Sequence, residues 1–71
     1  MRLLQKLNEA IDSEIKDIDE DETPFVYELA KTESGMNQIR KTITRKVLGR
    51  GIGIYDAIIE LDNELNPNYI D

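Results

Sequence analysis

The chain has no cysteine, no histidine and no tryptophan, and only two prolines, one phenylalanine and three tyrosines. Without cysteine no disulfide can staple it. Without cysteine or histidine it has no Cys/His zinc site, no thiolate nucleophile and no imidazole base. Its longest wholly apolar runs are two or three residues, against the roughly 20 that a membrane-spanning helix needs. The first residues, MRLLQKLNEAID, turn charged too soon for a signal peptide, so a cytoplasmic protein is expected. With 71 residues the chain makes one domain, 1–71. A chain of that length buries only about 60% of its unfolded surface, and small scaffolds need a staple or a partner. With disulfides excluded, self-association is the expected remedy.

What the chain does have is charge, unevenly placed. Residues 1–33 carry ten acids against four bases. Residues 34–50, SGMNQIRKTITRKVLGR, carry five bases and no acid. Residues 51–71 carry five acids and no base. The three blocks hold −6, +5 and −5, for the net −6 of the whole. A basic centre in an acidic setting suits a protein-binding module better than a general nucleic-acid binder.

Hydrophobic spacing predicts an all-α fold, a small bundle of three or four short helices. Over 2–18, Leu4, Leu7, Ile11, Ile15 and Ile18 step by three and four along one helical face. Packing inside the monomer accounts for such a stripe more readily than a partner does. The run Asp17 to Glu22, DIDEDE, reads as a solvated acidic linker, 17–23. Thr23 and Pro24 then read as an N-cap and a first-turn proline, opening a helix over 24–32. A short strand at Phe25, Val26 and Tyr27 is the alternative. Glu33, Ser34 and Gly35 read as a break, with Ser34 or Asn37 capping a third helix over 36–48 that Gly49 ends. Met36, Ile39, Ile43 and Val47 form its inner face. The glycines 49, 51 and 53 make a turn into a fourth helix, 54–65, with Ile54, Ile58, Leu61 and Leu65 along one face and Asn66 and Pro67 as its stop; a short strand over 52–55 is the alternative. Residues 66–71 are expected to be a mobile tail, unless Tyr69 and Ile70 dock.

Three constellations invite a chemical reading. Asp17, Asp19, Asp21 and Glu28 hold places 1, 3, 5 and 12 of a window that resembles an EF-hand calcium loop. Glu22 stands where that loop needs its turn glycine, and Pro24 where it needs an apolar residue. No metal site is therefore expected. Gly49, Gly51 and Gly53 precede a helix but match neither phosphate-binding glycine motif. The pair of helices 24–32 and 36–48 resembles a helix-turn-helix DNA reader in Leu29, Ala30, Gly35, Ile39 and Ile43, though Gly35 falls one residue late. That resemblance implies base or phosphate contact by Asn37, Gln38, Arg40, Lys41, Thr44 and Arg45.

No catalytic residue and no cofactor is expected, because paired carboxylates need a cleft to hold them apart. The reading that fits best is a small non-enzymatic interaction module, with itself or another protein as partner. Its contact residues would be Asn37, Gln38, Arg40, Lys41, Thr44, Arg45, Lys46 and Arg50. Copies would associate through Leu4, Leu7, Ile11, Ile15, Ile58 and Leu65. The helix-turn-helix reading is the alternative, and an acidic mimic of nucleic acid is the third. The position of the basic side chains discriminates. If they face open solvent, DNA gains; if they meet carboxylates of the first and fourth helices, the interaction module gains.

Overall fold

A computed structural model describes residues 2–68. It contains four α-helices, α1 (Arg2–Lys16), α2 (Pro24–Leu29), α3 (Glu33–Arg50) and α4 (Ile54–Leu65), and no strand among the described residues. The alternatives of a strand at Phe25 to Tyr27 and over 52–55 therefore fall away. Tyr69, Ile70 and Asp71, expected in the tail, lie outside the described residues.

α1 stops two residues earlier than its apolar stripe suggests. The bonds Asp17 N to Glu14 O and Ile18 N to Ile15 O tighten its last turn. Carboxylates are unfavourable at the negative end of a helix, and the acidic run begins there. That run is a shaped turn. Asp19 O accepts from Glu22 N at 3.0 Å and from Thr23 N at 2.9 Å, and Asp19 Oδ1 accepts from Asp21 N at 3.0 Å. Asp17 and residues 19–22 stay exposed, while Ile18 turns back against the core.

The junction between α2 and α3 differs from the expected break. α2 ends at Leu29, and Thr32 caps α3, its Oγ1 accepting from Gly35 N at 2.9 Å. Glu33, Ser34 and Gly35 are the first turn of α3, where a carboxylate is favoured. Gly35 is buried, and a Cβ there would lie 1.9 Å from Leu29 O. Its role is to let the end of α2 approach α3, not to end a helix. Gly49 likewise does not stop α3. The helix runs on to Arg50, and Gly51 ends it in the left-handed conformation at φ 69°, its N–H donating to Val47 O. α4 has the expected limits.

The core is Ile11 and Ile15 from α1, Val26 from α2, Ile39 and Ile43 from α3, and Ala57, Ile58 and Leu61 from α4. α3 and α4 each touch all three other helices. Ile11 and Ile58 are fully buried and Ile15 nearly so. These three were expected to join copies, yet each is covered within one chain. Leu7 and Leu65 are half-buried against the same core, and Leu4 is 39% exposed at its edge.

Candidate functional site

With 3.6 residues per turn, the side of α3 opposite Ile39 and Ile43 carries Ser34, Asn37, Gln38, Lys41, Thr44, Arg45 and Leu48. All are exposed except the half-buried Thr44. Leu4 and Asn8 of α1 face Arg40 and most of this set across an open groove of about 840 Å³. That volume is typical of a small-molecule pocket, but the groove is open along its length, a shape suited to a peptide segment. Among the described residues no Asp or Glu lines it.

The other cations of α3 are engaged by the chain's own acids. Arg40 makes a two-pronged contact with Asp12 of α1, Nε to Oδ1 at 2.8 Å and Nη2 to Oδ2 at 3.1 Å, and also donates to Asn37 Oδ1. The bonds to the Asp12 carboxylate hold its guanidinium above its ordinary pKa. Lys46 Nζ reaches Glu60 Oε1 at 2.5 Å and Glu64 Oε2 at 2.8 Å, and Arg50 joins Glu60. Burial pulls the Lys46 ammonium down, but its bonds to the two glutamates more than offset this and hold it above its ordinary value. The bonds from Lys46 and then Arg50 hold Glu60 below the usual glutamate range. Lys41 and Arg45 are in no ion pair among the described residues.

Of the eight expected contact residues, the groove brings together six: Asn37, Gln38, Arg40, Lys41, Thr44 and Arg45. Lys46 and Arg50 lie apart, turned to α4. The wall from α1, Leu4 and Asn8, was not expected at this site. Its signal was weak, since Leu4 reads as one more member of the core stripe. The acidic run does not gather into a metal cage: no group of three or more His, Cys, Asp or Glu among the described residues could hold a metal ion. No helix among them is long and apolar enough to cross a membrane.

Among the described residues, fold and site together define a small all-α protein of four helices with a cationic groove on its α1/α3 face. Comparison with known proteins finds no matching family model, no similar curated protein and no matching solved structure.

Proposed function

We propose that the chain is a small non-enzymatic protein-protein interaction module that docks an acid-bearing protein segment in the α1/α3 groove. One observation carries this reading: three of the five central cations are already held by Asp12, Glu60 and Glu64, which leaves Lys41 and Arg45 to face a partner. Duplex affinity is dominated by phosphate neutralisation, and each neutralised phosphate adds about −0.9 to the log–log salt slope. Two cations give a slope of only about −1.8, against the 6–10 contacts of strong binders. Two cations beside a row of amides and hydroxyls suit an acidic segment that sets one or two carboxylates against Lys41 and Arg45 and keeps the rest in solvent.

A helix-turn-helix DNA reader is the second reading. It is favoured by the acid-free polar face of Asn37, Gln38, Lys41, Thr44 and Arg45. Against it stand the six-residue α2 and the place of Gly35 inside α3 rather than in the turn.

Anisotropy titrations of a labelled duplex and a labelled Asp/Glu-rich peptide at physiological salt test the choice. The peptide is expected to bind and to lose binding in Lys41→Ala with Arg45→Ala. The duplex is expected to stay in the range of about 10⁻⁴–10⁻⁶ M typical of non-specific contact. Submicromolar, sequence-selective duplex binding would overturn the interaction-module reading and promote the second one.

A further inference from the structure

We infer that the segment docking in the α1/α3 groove is the acidic turn, residues 17–22, of a second copy of this chain. The inference rests on the groove being a protein-docking surface and names its occupant.

Charge complementarity is the first argument. The turn presents Asp17, Asp19, Glu20, Asp21 and Glu22, all exposed and none in an ion pair among the described residues. The groove presents Lys41 and Arg45, and no carboxylate of the described residues lines it. Asn8, Asn37 and Gln38 add amide N–H groups, and Ser34 and Thr44 add hydroxyls, all able to donate to carboxylate oxygens.

Preorganisation is the second. The turn is already shaped by the bonds that Asp19 O accepts from Glu22 N and Thr23 N. Docking it therefore costs little ordering entropy.

Placement is the third. Asn8 lines the groove on the first half of α1, and the turn follows Lys16 at the other end. At 1.5 Å per residue, Asp17 stands about 14 Å along the helix from Asn8, too far for the turn to fill its own groove. Two copies with antiparallel α1 helices, related by a twofold axis, would each insert the turn into the other's groove, the self-complementary contact of a symmetric dimer. The net −6 of each copy opposes approach from afar, but a Debye length of about 8 Å at physiological salt screens it, and the local pairing governs at contact.

Sedimentation equilibrium of the full chain at concentrations up to about 1 mM, the weak end of specific association, tests this. A reversible dimer is expected. Lys41→Glu with Arg45→Glu, and separately Glu20→Lys, Asp21→Lys and Glu22→Lys together, are each expected to raise its dissociation constant at least about tenfold, because each places like charges opposite one another. Mixing the two variants is expected to restore association as a heterodimer, since one then offers acidic turn and acidic groove and the other basic turn and basic groove. Circular dichroism checks that each variant keeps its helices, and Lys41→Gln with Arg45→Gln replaces the groove reversal if it does not. A wild-type chain monomeric throughout, a dimer indifferent to both reversals, or a mixture that stays monomeric would each overturn the inference. A monomeric wild type that still binds the labelled acidic peptide overturns only the second copy as occupant. One that binds neither overturns the groove reading as well.

Discussion

The Asp62 carboxylate, on α4, accepts hydrogen bonds from Phe25 N at 2.8 Å and Val26 N at 3.0 Å. These are two of the orphan N–H groups at the start of α2, and its own N-cap residue, Thr23, makes no side-chain cap bond. A buried acid 36 residues away in sequence thus caps the helix and ties α2 to α4. Removing it leaves a buried donor unsatisfied, so Asp62→Ala is expected to destabilise the chain by about 2–3 kcal/mol. Asp62→Asn, which keeps an acceptor oxygen but loses the charge, should lose roughly half of that. Urea unfolding of both variants measures the difference. The loss is large against the roughly 4–11 kcal/mol expected for a domain of this size. Sequence alone gives Asp62 no role that sets it apart from Asp56, Glu60 and Glu64 on the same helix. Its role needs the end of α2 brought beside it.

At the scale of elements, the same residue type works in opposite ways at two places in α3. Gly35 sits where the end of α2 presses on the helix. A methyl group there would meet the Leu29 carbonyl, and that backbone cannot swing aside as a flexible side chain can. Gly35→Ala should push α2 from α3 and cost about 1–3 kcal/mol. Gly49 lies in the last turn with nothing within 4 Å of its would-be Cβ. Gly49→Ala should stabilise by about 0.5–1 kcal/mol, because alanine loses less backbone entropy in a helix. Thermal melts of the two variants should therefore move in opposite directions, and equal shifts would contradict the packing of α2 on α3. Local pattern was a poor guide here. It predicts helix stops at Gly35 and Gly49, while among the described residues the αL stop is at Gly51 alone, set by its φ of 69°. The expected caps Ser34 and Asn37 gave way to Thr32, whose hydroxyl reaches Gly35 N because α2 ends three residues short of the expected limit.

For the whole molecule, the question is which apolar surface is closed inside one chain. Ile11 is fully buried between helices, so Ile11→Asp buries an unpaired carboxylate and should unfold the chain outright, well beyond about 4 kcal/mol. Leu4→Asp, at a groove edge that is 39% exposed, should keep the helices and alter only what the groove binds. Far-ultraviolet circular dichroism separates the two. An Ile11→Asp chain that stayed helical and merely changed its oligomeric state would revive the aliphatic stripe of α1 as a contact between copies.

Fold class, helix number and the inward positions Ile11, Ile15, Ile39, Ile43, Ile58 and Leu61 follow from spacing along the chain. Burial of an amphipathic face needs only the local period of three and four residues. The prospect that basic side chains of α3 meet acids of the first and fourth helices was also open in the charge blocks, and the contacts with Asp12, Glu60 and Glu64 are those meetings. Which cations would be taken was not open. Arg40, Lys46 and Arg50 are paired while Lys41 and Arg45 face the groove, and all five look alike in sequence. Their fates depend on the rotation of α3 against α1 and α4, which is set by long-range packing of Ile39 and Ile43 and by the close approach at Gly35. A hydrophobic period says that a helix has an inner face; only the partners on each flank decide which polar neighbours are neutralised and which remain to bind.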